Sequence, residues 1–261
     1  MERSKCPISL EERKKIQLEM LLEIDQFCRE HDIKYMLAFG TLLGAIRHKG
    51  YIPWDDDVDI SMPYEDMLRF QKEFKSEKLT YIDATNNKYF FYAFARIAYN
   101  PTYCKCGLIC NSYGVNIDLY PTIQVSQDKE VNQAIVNTLV SQYKFRNYIA
   151  KWRSRAIRYL PIPNLPFVQY IARRYNKKMV ELFHQPNGGN FHCIAGPLPD
   201  FDVHTFNFNP FDDLIEADFE GCKFMVPAKY HQYLTHRYGD YMQLPPEDQR
   251  YPYHGGVYYW K

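Results

Sequence analysis

The stretch Tyr51–Met62, YIPWDDDVDISM, sets Asp55, Asp56 and Asp57 in a row and Asp59 one residue further on. Carboxylates this close repel: at ~4 Å and an effective dielectric of ~20 the cost is on the order of 4 kcal/mol. From Asp57 to Ser61, acidic and apolar residues alternate, which predicts a half-buried strand. In such a strand Asp57 and Asp59 share a face, roughly 6.5–7 Å apart, while Val58 and Ile60 turn into the core and fix the register. Carboxylates on an apolar sheet call for a cation. A hard divalent ion suits them, because Mg²⁺ takes one or two carboxylates and completes its shell with water and phosphate oxygens. Asp55 and Asp56 read equally well as caps of a solvated acidic turn.

Working outward, YMLAF (35–39) is a short buried strand and TLLGAIRHK (41–49) a short helix with a basic end. Between them FGTLLG offers Gly40, which admits close backbone approach, and the hydroxyl of Thr41, at a helix N-terminus suited to an anion. Downstream, NIDLYP (116–121) sets one acid, Asp118, in an apolar strand pattern. A buried Asp needs a partner; beside the metal pair it serves either as a further ligand or as the base for an incoming hydroxyl. Arg96 in FYAFARIAY wants an anion. Arg47 either meets phosphate or satisfies the last carbonyls of its own helix. Trp54 and Asp55 complete the substrate-binding candidates, one of the adjacent acids orienting Trp54 or a metal-bound water.

The remaining elements follow from periodicity. Ser9 and Glu12 frame a capping box, and apolar spacing predicts a helix over about 10–30. Pro63 starts a helix to about 75. Residues 89–99 and 113–123 read as strands, 128–158 and 167–184 as helices separated by PIPNLP, and 213–227 as a hairpin turning at Glu220-Gly221. A helix over 228–239 ends at Gly239.

Composition narrows the function. The 261 residues are 46% apolar with net charge +1, an ordinary globular balance. Residues 131–180 carry ten Lys and Arg and no acid, leaving −9 for the rest of the chain. That basic, aromatic stretch, 142–178, is either a solvated helix face or a surface for anionic membrane, with Trp152, Tyr159, Leu160 and Phe167 inserted. No nucleic-acid module is present. The polar start SLEERKK and the lack of any long apolar run point to a cytoplasmic protein, peripheral on the inner face of the membrane if the basic stretch binds there. Seven cysteines fit a reducing compartment; Cys104, Cys106 and Cys110 lack standard zinc spacing and read as free thiols. His48 and His254 read as packing or surface residues. The 23 Tyr and 17 Phe either fill the core or hold sugars, bases or quaternary amines, with no one cage distinguishable.

LAFGTLLGAIRHKGYIPWDDDVDISM (37–62) resembles the signature of the LicD phosphotransferases, relatives of fukutin within the nucleotidyltransferase superfamily. IDLYP and FMVPAKYHQYLTHRYGDYMQLPP (224–246) are similar to that family as well. The resemblance implies an α+β fold, a nucleotidyltransferase-like mixed sheet flanked by helices. It implies one catalytic domain over 1–261 with a helical, basic insertion at about 127–184. The activity implied is transfer of phosphocholine or a phospho-alditol from a CDP-linked donor to a hydroxyl of a cell-surface glycan or its lipid-linked precursor, as in lipopolysaccharide or teichoic acid synthesis. Carried over by motif, Asp57 and Asp59 ligate Mg²⁺ (or Mn²⁺), Asp118 is the third acid and Gly40-Thr41 the phosphate loop. The alternatives are nucleotidyl transfer from a nucleoside triphosphate and a non-catalytic glycan- or nucleotide-binding relative, the latter disfavoured by the intact set of acids.

Overall fold

The computed structural model describes residues 6–87, 90, 92–104, 113–126, 129–155, 166–183, 191–194, 204–251 and 256–261. Helix α1 (Leu10–Glu30) begins where Ser9 Oγ accepts the Glu12 N–H at 3.1 Å. It buries Ile16, Met20, Leu21, Ile24 and Cys28 as one stripe. Each such side chain, fully buried, stabilises by about 1.5–3 kcal/mol. Strand β1 (Met36–Leu37), α2 (Phe39–Arg47), β2 (Asp59–Pro63) and α3 (Tyr64–Glu73) follow. Then come β3 (Leu79–Ile82), β4 (Ala95–Tyr99), β5 (Thr102–Cys104) and β6 (Asn116–Val125). Helices α4 (Lys129–Arg155) and α5 (Pro166–Phe183) precede β7 (Phe191–Ile194) and β8 (Thr205–Phe206). Strands β9 (Leu214–Phe219) and β10 (Cys222–Pro227), α6 (Tyr230–Tyr238) and β11 (Tyr258–Trp260) complete the chain.

The fold is α+β around a mixed seven-stranded sheet of order β1-β2-β6-β4-β3, with β7 on β6 and β8 on β7. Among the described residues, only β2 and β6 run parallel; the other pairs of this sheet are antiparallel. The main core joins α1 to the sheet through Met36, Leu37, Ile60, Met62, Ile117 and Leu119. A second apolar cluster, with Ile123, Val125, Ile135, Leu182 and Cys193, seats α4 and α5 against the far end of β6.

Several expectations shift in detail. The ladder of β2 begins at Asp59, so Asp57 lies in the segment before the strand. Among the described residues of the aromatic run 89–99, Ala95–Tyr99 pairs as a strand; Phe90, Tyr92 and Phe94 instead pack on one another at tilted and edge-on angles. The hairpin turns where expected, with Glu220 at φ 51° and Gly221 at φ 77°, the positive-φ pair of a two-residue turn. Gly239 ends α6 at φ 66°. Cys104 is buried; Cys106, Cys110, His254 and most of PIPNLP lie outside the described residues, as do the side chains of 146–165. No helix among the described residues is long and apolar enough to cross a membrane.

Candidate functional site

The one parallel pairing positions the acids. Asp59 and Asp118 are register partners, so their side chains leave neighbouring strands on the same face. Asp59 is held on both sides: its N–H donates to Thr41 Oγ1 (2.9 Å), its carbonyl accepts from Ala38 (3.0 Å), and the adjoining Val58 carbonyl accepts from Asp118 (3.0 Å). The hydroxyl of Thr41 thus secures Asp59 from the first turn of α2. Both carboxylates are 8% exposed.

Asp118 meets its cation within the chain. Arg96, its register partner across β4, donates from Nε to Oδ1 (2.7 Å) and from a terminal nitrogen to Oδ2 (3.1 Å). Asn116 Nδ2 also donates to Oδ1 (2.8 Å). The anion expected for Arg96 is therefore Asp118, and its guanidinium lies over the rings of Tyr92 (4.9 Å) and Phe94 (5.7 Å). Burial works against the charge of Arg96, but Asp118, with Tyr92 and Tyr120, holds its pKa well above the usual guanidinium value.

Asp59 has the opposite balance. Its Oδ1 is buried with no hydrogen-bond partner among the described residues. Burial, then Asp57, Asp118 and Asp55, push its carboxyl well above the ordinary range, with Arg237 pulling the other way. A buried carboxylate with an orphaned oxygen, under the negative potential of three more carboxylates, is what a bound divalent cation would satisfy. The donor set is all oxygen, which fits Mg²⁺ or Mn²⁺. The expected ligand group was Asp57, Asp59 and Asp118; the carboxylates whose oxygens lie within 4.8 Å of one another are those of Asp55, Asp56 and Asp57. Of these, Asp56 forms a buried ion pair with Arg13 at 2.6 Å. Asp56, Asp57, Asp118, Arg13, Arg96 and Tyr258 are among the residues lining a cavity of about 180 Å³.

The remaining candidates fall around this centre. Asp55 accepts the Asp56 N–H through Oδ1 (3.1 Å) and rests its other oxygen against Gly40. A Cβ on Gly40 would come within 2.6 Å of that oxygen. Gly40→Ala should therefore turn the Asp55 side chain away and lower turnover roughly tenfold or more, since small misplacements are costly. Thermal unfolding should stay near wild type, because a mobile side-chain end yields; a large fall in melting temperature would refute this. Arg47 donates to the Tyr241 carbonyl (2.7 Å), a segment other than its own helix. Trp54 packs edge-on to His48 at 6.4 Å and carries the Arg250 guanidinium at 5.5 Å.

Three site residues were not evident beforehand. Arg13 lies in the polar first half of α1, where nothing local marks it as buried. Arg237 of α6 spreads over the Phe39 ring at 4.3 Å and contributes positive potential at Asp59. It donates to His204 Nδ1 at 2.8 Å; burial, then Arg237 and His236, push His204 down to about 3, so the imidazole is the neutral acceptor.

Comparison with known proteins places this geometry. Residues 32–177, more than half of the chain, match the family described as LicD/FKTN/FKRP, nucleotidyltransferase domain. The chain is 25% identical over 258 residues to the lipopolysaccharide cholinephosphotransferase LicD of Haemophilus influenzae, covering 95% of this chain and 96% of that protein. It is 36% identical over 105 residues to an uncharacterized protein of Rickettsia typhi, covering 39% of this chain and 29% of that protein. All the acids from Asp55 to Asp118 lie inside the family match, whereas Arg13 and Arg237 lie outside it.

Proposed function

The chain belongs to the LicD/FKTN/FKRP nucleotidyltransferase-domain family, and from that premise we propose that it is a phosphotransferase acting on a CDP-linked donor. The group moved is phosphocholine, or a phospho-alditol, and the acceptor is a hydroxyl of a cell-surface glycan or its lipid-linked precursor. The similarity to a lipopolysaccharide cholinephosphotransferase along nearly the whole chain supports a transferase and favours choline. The observation that carries the reading is Asp59: a buried carboxylate with an orphaned oxygen, beside Asp118 in the parallel register and under the negative potential of Asp57 and Asp55.

In this reading Asp57 and Asp59 hold a divalent ion, Mg²⁺ or Mn²⁺, with Asp55 and Asp118 beside it. When bound, the ion would supply charge neutralisation for the donor pyrophosphate. The positive end of α2, at Gly40 and Thr41, faces the anionic donor, and Arg96 adds cationic charge. The acceptor hydroxyl attacks the phosphorus bearing the head group. The bond from that phosphorus to the bridging oxygen breaks, and CMP leaves with the electron pair. Asp118 takes the hydroxyl proton. Its Oδ1 already accepts two donors, but Oδ2 accepts one and keeps a lone pair for this role. Catalysis is then positioning and charge neutralisation. We read the whole chain as one catalytic domain, with α4 and α5 as its inserted part.

Purified protein with Mg²⁺ should release CMP selectively from one of CDP-choline, CDP-ribitol, CDP-glycerol and CDP-ethanolamine, and lose this on chelation. Pyrophosphate release from nucleoside triphosphates alone would overturn the reading in favour of nucleotidyl transfer. A lipid-linked acceptor also bears on location: Phe167 and Tyr170 are each 61% exposed on α5, beside Arg173, Arg174, Lys177 and Lys178. We expect the protein to float with anionic liposomes and not with neutral ones; equal behaviour at moderate salt would remove the membrane contact from the proposal.

A further inference from the structure

We propose that the aromatic cavity between α3 and α5 is the subsite for a quaternary ammonium head group, the choline end of the donor. The inference rests on the phosphotransfer reading above and names its substrate class.

The cavity measures about 90 Å³, several times the ~10–15 Å³ that one water requires. Tyr64, Tyr81, Tyr92, Phe94 and Phe183 supply its rings, and Met67 and Met179 add soft, polarizable sulfur. Among the described residues no Lys, Arg or His lines it, and its one charged residue is Asp83. That carboxylate is 8% exposed and accepts from neutral donors only. Oδ1 takes Thr85 N (2.8 Å), Thr85 Oγ1 (2.7 Å) and Asn86 N (3.1 Å). Oδ2 takes Gln71 Nε2 (3.0 Å) and Tyr81 Oη (3.3 Å). These bonds hold the anion in place without cancelling its charge, and no cationic side chain pairs with it among the described residues. A negative charge behind several aromatic rings is the pattern that recognises a large, fully methylated cation with no N–H to donate.

The acidic cavity next door has the complementary character. Its two rings already carry guanidinium groups, Arg13 over Tyr258 at 5.1 Å and Arg96 over Tyr92 at 4.9 Å. Those guanidinium groups occupy the ring faces that a trimethylammonium group would need, which leaves the aromatic cavity as the place for it. Tyr92 lines both cavities and so forms their common wall. Phosphocholine joins phosphate to ammonium through a short ethylene bridge. It therefore needs two adjoining subsites of opposite charge preference.

The test uses the full chain and two kinds of measurement. Calorimetric titration with choline chloride should show binding, and the neutral isostere 3,3-dimethylbutanol should fail to compete. Tyr64→Leu and Phe183→Leu should each weaken choline roughly tenfold by removing a ring face, while Tyr64→Phe keeps wild-type affinity. Asp83→Asn should weaken it as well; because Asp83 also ties the 83–86 turn, the half-buried Phe183 keeps the test independent of folding there. In the kinetic arm, Phe183→Leu should raise KM for CDP-choline roughly tenfold with little change in kcat. The cavity assignment is overturned if choline does not bind, if the isostere competes equally, or if both Leu variants bind choline normally with wild-type melting temperature. Failure of the transfer reading looks different: no CDP conjugate yields CMP, while choline titration still decides the cavity.

Discussion

Asp59→Asn should depress CMP release by about 10³-fold or more while the protein remains folded. A change of 10³ corresponds to roughly 4 kcal/mol of transition-state stabilisation, the several kcal/mol that a correctly held divalent ion supplies. Asparagine keeps the shape of Asp59 and its main-chain bonds to Thr41 and Ala38, but loses the charge. Stability should move the other way in metal-free protein. The carboxyl of Asp59 is raised by burial and by Asp57, Asp118 and Asp55, so its charged form is a burden on the fold. The unfolded chain releases this proton near pH 4 and the folded chain only at higher pH. Stability of the chelated wild type should therefore fall as pH rises above about 4, and Asp59→Asn should show less of that fall. Retained turnover in Asp59→Asn would sink the assignment; lost turnover together with lost folding would move the residue from the chemistry to the scaffold.

Arg13→Ala should be the most damaging change to stability outside the apolar core. Arg13 is 6% exposed and Asp56 3%, and their atoms meet at 2.6 Å. Removing one partner of a buried pair typically costs 3–5 kcal/mol, because the other charge stays behind. At about 2–4 °C per kcal/mol for a chain of this size, melting should fall by roughly 6–20 °C. The double variant Arg13→Met/Asp56→Leu should recover much of this, since an apolar pair of similar volume carries no charge to desolvate. If Arg13→Ala melts within a degree of wild type, the pair is not a structural tie. If the single and double variants melt alike, the loss comes from the packing of Arg13 on Tyr258 rather than from stranded charge.

The helices were legible because period 3.6 and capping are local. Ser9 with Glu12, Pro63 ahead of Tyr64, and Gly239 after α6 all mark real ends. Several short strands were not legible. Strands β3, β5, β7, β8 and β11 are two to four residues long, too short for alternation to register, and they exist only through distant partners. The acids followed the same division. Asp59 and Asp118 stood out as carboxylates in apolar strand patterns, and the parallel register brings them side by side. Arg96 was read as an arginine needing an anion, but not that Asp118 would supply it. Arg13 and Arg237 were hidden because each sits in a helix whose neighbours look solvated; only the fold shows which turn faces inward. The grouping of Asp55 and Asp56 with Asp57 stayed ambiguous because their segment has no periodicity, and backbone geometry alone decides where three adjacent side chains point.

The closing strand has a consequence for biosynthesis. Trp260 Nε1 donates to Glu12 across 248 positions of sequence, Ile8 donates to the Tyr258 carbonyl, and Tyr258 lines the same cavity as Arg13. Contacts of such separation pay their loop-closure entropy late. On a ribosome moving at ~5–20 residues per second, α1 would emerge many seconds before its partner strand. During that interval the cavity lacks the wall that Tyr258 supplies, so a chain interrupted before β11 would carry the acids of the proposed site without that wall.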